Sequence, residues 1–157
     1  MTARTLVVLR HAKAAHTPGV VDWERPLTES GERDARRVGE ALTELGLRPD
    51  LVLCSPSVRT RRTAALALPD ADVSFETGVY EAFADELLTL LRRSGAEART
   101  VVLVGHNPGV HDLVRMLAPD DGDPGFPPGA FTVVETDDEW AGLDTGRVTA
   151  RWSPKER

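Results

Sequence analysis

A chain of 157 residues with 41% hydrophobic and 28% charged residues has the size and composition of one globular domain, long enough to bury a core. Nineteen basic against 25 acidic side chains leave a net charge of −6, which excludes an overall cationic field for nucleic acid. The single cysteine excludes an internal disulfide, no apolar run approaches the roughly 20 residues of a membrane helix, and Leu6–Leu9 is too short for a signal-peptide core; a cytoplasmic protein without membrane or nucleic-acid partners is expected.

The first predicted element is a strand over Leu6–Leu9, four apolar residues of the kind that a parallel sheet covers on both faces. It ends in Arg10-His11-Ala12-Lys13. Residues 14–26, with Pro18, Gly19 and Pro26, read as a loop. Thr28 then caps a helix carrying Ala35, Val38, Ala41, Leu42 and Leu45 at helical spacing, stopped by Gly46. Leu51–Cys54 is a second short strand, and Ser55-Pro56-Ser57 breaks it, with Ser57 capping a further helix. Val73–Phe75 is a third strand. Asp85–Arg93 has the wide apolar face of a helix, and Val101–Val104 is a fourth, wholly apolar strand. Gly105-His106-Asn107-Pro108-Gly109 leads from it into a helix through Leu117. Residues 119–129 hold four prolines and three glycines and are irregular, Phe131–Glu135 and Arg147–Trp152 alternate as late strands, and Ser153–Arg157 is a frayed polar tail.

Three apolar strands thus end in chemistry: Arg10-His11, Cys54-Ser55-Pro56 with Arg59 just beyond, and Gly105-His106. Ligands of open α/β sheets sit outside the carboxyl ends of the strands, so these ends converge on one site. Arg59 falls in the first turn of a helix, whose amide groups favour an anion. Two arginines can grip a phosphoryl group in forks, a neutral imidazole can attack phosphorus, and a second imidazole or Asn107 can donate to the phosphoryl oxygens. Lys13 is a further candidate cation, although a solvated lysine at a loop start is commonplace. Arg25 either reaches the phosphate or pairs with Asp22 or Glu24. His16 and His111 read as surface or helix residues. His106 and His111 are five apart, not the i,i+4 of a helical zinc pair, so no metal or other cofactor is expected. A cysteine phosphatase needs Cys-x5-Arg and loop amides. Cys54 to Arg59 is one residue short and contains a proline, so Cys54 reads as a buried strand residue.

The motifs carry a resemblance. Leu9-Arg10-His11-Ala12 is similar to the Arg-His-Gly signature of the histidine phosphatase superfamily, which includes the phosphoglycerate mutases. Arg25-Pro26-Leu27-Thr28-Glu29-Ser30-Gly31 resembles its RPLTxxG element, Ser55–Ala64 its SPxxRxxxTA element, and Gly105–Gly109 its GHNPG element. The likeness is strongest to the small SixA-type phosphohistidine phosphatases. It implies His11 as nucleophile, Arg10 and Arg59 as phosphate ligands, His106 completing the pocket, and Glu81, in Val79-Tyr80-Glu81-Ala82, as the general acid; a solvated carboxylate is the alternative for Glu81. Ala12 departs from the glycine of the signature and adds a Cβ, so the backbone there has no strong need of positive φ.

The fold so implied is one histidine-phosphatase-like domain over residues 1–157, a three-layer α/β/α sandwich with a largely parallel central sheet. Little chain lies between the Arg59 helix and Glu81, where larger relatives insert a lid, so no substantial cap domain is expected. The function implied is metal-independent phosphoryl hydrolysis through a phosphohistidine intermediate, with phosphohistidine in a protein as substrate. A small-molecule phosphomonoesterase acting on a sugar phosphate or similar, and a non-catalytic phosphate-binding domain, stay open as alternatives.

Overall fold

The computed structural model describes residues 3–94 and 97–154. Six strands form one sheet: β1 Arg4–Arg10, β2 Leu51–Cys54, β3 Val73–Phe75, β4 Thr100–Gly105, β5 Phe131–Thr136 and β6 Arg147–Trp152, in the order β3-β2-β4-β1-β5-β6. The helices are α1 Glu29–Glu44, α2 Val58–Ala67, α3 Ala84–Ser94 and α4 Gly109–Leu117.

Alternation along β1 builds the layers. Val7 and Leu9 pack in one core with Val38 and Leu42 of α1 and Ala64 and Ala67 of α2. Leu6 and Val8 face the other way, into a core with Leu87 and Leu91 of α3 and Val110 and Leu113 of α4. Each fully buried aliphatic side chain stabilises by about 1.5–3 kcal/mol. A strand buried on both faces over Leu6–Leu9 is therefore a rigid mount for Arg10 and His11 at its end.

Strands β3, β2, β4 and β1 are mutually parallel, whereas β5 runs antiparallel to β1 and β6 antiparallel to β5. The sheet is an α/β sandwich layer, as expected, but mixed at one side. The reason is connectivity: only residues 137–146 join β5 to β6, too little for a helical crossover, so the pair closes as an antiparallel ribbon. The register sets Arg10 opposite Gly105 and Cys54 opposite Val104, so β1, β4 and β2 end side by side.

Local signals explain the helix starts. The Thr28 hydroxyl accepts from the Gly31 amide at 2.9 Å and caps α1, and Gly46 at φ 73° ends it. Gly31 is required for another reason: a Cβ there would collide with the Lys13 carbonyl, on which the first turn of α1 rests. Ser57 stands at the N-cap of α2 but makes no capping bond; its hydroxyl lies 2.6 Å from Thr60 Oγ1 instead. The start of the C-terminal tail is not frayed. Pro154 is buried and its carbonyl accepts from Arg37 at 3.2 Å, because Trp152 stacks on Phe131 and Arg37 lies over the indole. Lys155–Arg157 lie outside the described residues. No helix among the described residues is long and apolar enough to cross a membrane.

Candidate active site

His11 comes directly after the last residue of β1, and its amide donates to the Gly105 carbonyl at 3.1 Å, tying it to the end of β4. The ring is buried, 8% exposed, and Nδ1 lies 2.7 Å from the Ala12 carbonyl. A carbonyl oxygen can only accept, so Nδ1 carries the hydrogen. Burial, with Arg10, Arg59 and Arg25 nearby, lowers the His11 pKa to about 4. At neutral pH the ring therefore holds one proton, on Nδ1, and Nε2 keeps its lone pair. Ala12 is buried, its amide donates to Thr63 Oγ1 at 3.0 Å, and its φ is not positive, so alanine in place of glycine strains nothing.

The two imidazoles meet, with His106 and His11 centroids 5.3 Å apart. His106 is equally buried, and burial, with the neighbouring His11 and Arg59, lowers its pKa to about 3. Its Nε2 lies 2.9 Å from the hydroxyl of Ser55, which can donate to a bare nitrogen or accept from a protonated one. Its Nδ1 is buried without a partner. Two buried neutral histidines carry a pH signature. An unfolded histidine titrates near 6.5, so as pH falls below that the unfolded chain takes up protons that the native rings refuse. Thermal melts should show Tm falling between pH 6.5 and about 4, and a flat profile over that range would contradict the buried neutral pair.

Arg10 and Arg59 enter the same site. Arg59, in the first turn of α2, is 6% exposed, and burial and Arg59 both lower the pKa of Arg10. Two guanidinium groups so close, with the Nε of each buried and unpaired, form a site short of an anion. Arg10 Nη1 donates to the Phe126 carbonyl at 3.0 Å. Arg59 Nη1 donates to the Asp22 carbonyl at 2.7 Å and Nη2 to Asp22 Oδ2 at 3.0 Å.

The remaining predicted residues fare differently. Asn107 spends a donor of its amide on the Phe126 carbonyl at 3.0 Å and so shares that acceptor with Arg10; this ties down the 119–129 loop rather than presenting the whole amide to a ligand. Lys13 and Glu81 are exposed, and their side chains make no hydrogen bond or ion pair among the described residues. What the fold uses of Lys13 is its carbonyl, beneath Gly31. Glu81 has φ 57°, the left-handed region that a non-glycine residue avoids, beside the close packing of the Ala82 carbonyl on Gly109. Arg25 pairs with Asp22 Oδ1 at 3.0 Å, one of the two acidic partners open to it from the sequence. His111 lies 2.6 Å from Asp123 Oδ1 in the surface layer.

Sequence reasoning missed four participants: Ser55 as the partner of His106, the Phe126 carbonyl, and above all Asp22 as a partner of Arg59 together with Tyr80, whose hydroxyl donates to Asp22 Oδ2 at 2.6 Å. Asp22 sits in a single 3-10 turn, Asp22–Glu24, which has no periodicity to betray it. The Tyr80, Arg25 and Arg59 donors hold its carboxyl well below the usual range, so it is ionised at neutral pH.

Cys54 is fully buried in β2, and burial pushes its thiol up to about 12. A thiol this reluctant to ionise is no nucleophile. Cys54→Ser should keep kcat within about threefold of wild type, and thiol alkylating agents should not inactivate the native protein; loss of turnover in either experiment would return Cys54 to the chemistry. No group of three histidine, cysteine, aspartate or glutamate side chains among the described residues is placed to hold a metal.

The family model for the histidine phosphatase superfamily (branch 1) matches residues 6–85. An uncharacterised protein of Mycobacterium tuberculosis is 31% identical over 147 residues, 88% of this chain and 93% of its own. Among solved structures, one from Nakamurella multipartitia, provisionally described as the phosphohistidine phosphatase SixA, superposes with a TM-score of 0.90 at 32% identity and covers 99% of each chain. One from Agrobacterium tumefaciens, described in the same way, gives 0.83 at 28% identity over 96% of this chain and 98% of its own.

Proposed function

The chain belongs to the histidine phosphatase superfamily, and on that premise we propose that it hydrolyses phosphohistidine in a protein, with His11 as the nucleophile. The observation that carries the reading is the contact of His11 Nδ1 with the Ala12 carbonyl, which fixes the tautomer of the ring. Its Nδ1 hydrogen is locked on the Ala12 carbonyl and its low proton affinity leaves Nε2 free at neutral pH. Arg10 and Arg59 supply the positive field for the transferring PO3 group, and His106, with Nδ1 unpartnered, donates to a phosphoryl oxygen once that nitrogen carries hydrogen.

Bonds and charge balance without a metal. The His11 Nε2 lone pair forms the new P–N bond as the P–N bond to the substrate ring breaks. That ring, already protonated on its other nitrogen, leaves as neutral imidazole. Water then attacks phosphorus, its two hydrogens stay with the departing H2PO4−, and the electron pair of the second P–N bond returns to His11. Imidazole, whose conjugate acid has a pKa of about 6.5, needs far less acid assistance than an alkoxide. That suits a site in which the one carboxylate implied as general acid, Glu81, stands exposed. The likeness to SixA-type structures and the lack of a cap domain support the same substrate, since a side chain on a folded protein must reach His11 without a lid in the way.

A substrate comparison tests this. At matched pH and with chelator present, kcat/KM for a phosphohistidine-bearing protein should exceed that for sugar phosphates, and Glu81→Gln should slow the alkyl esters more than the phosphoramidate. A sugar phosphate as the best substrate, with phosphohistidine protein untouched, would overturn the assignment. Loss of activity in chelator would overturn the metal-free mechanism.

A further inference from the structure

From the floor of the site to its rim, four aromatic rings form a series: His11 to His106 at 5.3 Å, His106 edge-on to Tyr80 at 5.5 Å, and Tyr80 edge-on to Trp23 at 4.8 Å. His11 and His106 are buried, while Trp23 is 38% exposed, so the series leads outward to solvent. Asp22 stands beside its outer half, hydrogen-bonded to the Tyr80 hydroxyl. The Asp22 side chain is 46% exposed against 7% for that of Arg59, which places it on the solvent side of the phosphate clamp. Its charge is felt at His106, where it raises proton affinity against burial and the arginines.

A carboxylate here is at odds with a site whose only task is to hold an anion. It repels a phosphate dianion and takes up hydrogen bonds of Arg59 that the phosphate would otherwise receive. The position makes sense if the ring bonded to phosphorus in the substrate is itself cationic and flat. Resting on the function proposed above, we propose that Asp22, with the Trp23–Tyr80 pair, forms a leaving-group subsite that selects a planar cation, the ring-protonated imidazole of the phosphoramidate substrate. The aromatic edges and faces receive the ring, and the carboxylate stabilises the proton that must be present on it for departure as a neutral imidazole. An aryl or alkyl ester brings no such charge and gains nothing from Asp22.

The experiment uses two small substrates, so that no protein docking enters: phosphoimidazole and p-nitrophenyl phosphate, at one pH, in wild type, Asp22→Asn and Glu24→Gln. The readout is the ratio of their kcat/KM values, because Asp22→Asn also disturbs Arg59 and shifts both substrates. The ratio should fall about tenfold in Asp22→Asn, the order of effect of one half-exposed unit charge. It should hold in Glu24→Gln, which removes a charge from the same turn. A ratio unchanged in Asp22→Asn, with both substrates slowed alike, overturns the proposal and leaves Asp22 as a positioning residue for Arg59. Should circular dichroism show Asp22→Asn unfolded, Trp23→Ala decides by the same ratio, which must fall if the subsite exists. Wild type that turns over the aryl ester and no phosphoramidate would overturn the proposed function itself, a result that needs no variant.

Discussion

His11→Ala should lower kcat by at least about 10⁴-fold on every substrate the protein accepts, with little change in fold or in phosphate affinity. Removing a nucleophile abolishes the covalent route and leaves only what binding and the arginines can do for direct attack by water. The site is arranged so that little else can substitute. Cys54 faces the core with its thiol pushed up to about 12, and the Ser55 hydroxyl is tied to His106. His106 is the nearest alternative, but its Nε2 is engaged by Ser55. Steady-state assays on p-nitrophenyl phosphate check the loss, and calorimetric titration with inorganic phosphate checks that the clamp survives. An alanine variant within tenfold of wild type would place the chemistry elsewhere.

Arg59→Lys should cost about 2 kcal/mol in kcat/KM, roughly 30-fold. The substitution keeps the charge and removes the fork. Arg59 reaches the Asp22 carbonyl and carboxylate with its two terminal nitrogens while its Nε remains buried and unpaired. One ammonium on a flexible stem cannot meet both Asp22 oxygens and hold a third donor in place. The 3-10 turn would loosen along with the clamp, so the loss should appear in KM and in vanadate inhibition as well as in kcat. Measured kcat/KM within twofold of wild type would show that Arg59 does not grip the phosphoryl group with its planar face.

Burial decided which parts of this protein could be read in advance. Leu6–Leu9, Leu51–Cys54 and Val101–Val104 are unbroken apolar runs whose shortness favours strands over helices, and Leu51–Cys54, Val73–Phe75 and Arg147–Trp152 have the bounds expected of them. The convergence of Arg10-His11, Arg59 and His106 was legible because strand ends in a parallel sheet must lie together. The antiparallel side of the sheet had a signal as well, the ten-residue link between β5 and β6, that composition alone does not bring out. What was not legible is what the loops contribute. The Phe126 carbonyl holds Arg10 and Asn107, and a carbonyl has no side-chain signature. Tyr80 and Asp22 are 58 residues apart, in a three-residue turn and at a turn end, and only the folded chain shows their hydroxyl and carboxylate at 2.6 Å. The motif glycines, by contrast, gained a cause: Gly31 and Gly109 lie where a Cβ would strike the Lys13 and Ala82 carbonyls.

The covalent intermediate is the most direct test of the account. Wild type mixed with a ³²P-labelled substrate and quenched within one turnover should carry one phosphoryl group on His11. The label should be stable in base, lost in mild acid, and absent in His11→Ala. Label that resists acid, or that persists at full stoichiometry in His11→Ala, would contradict His11 as the nucleophile and the mechanism built on it.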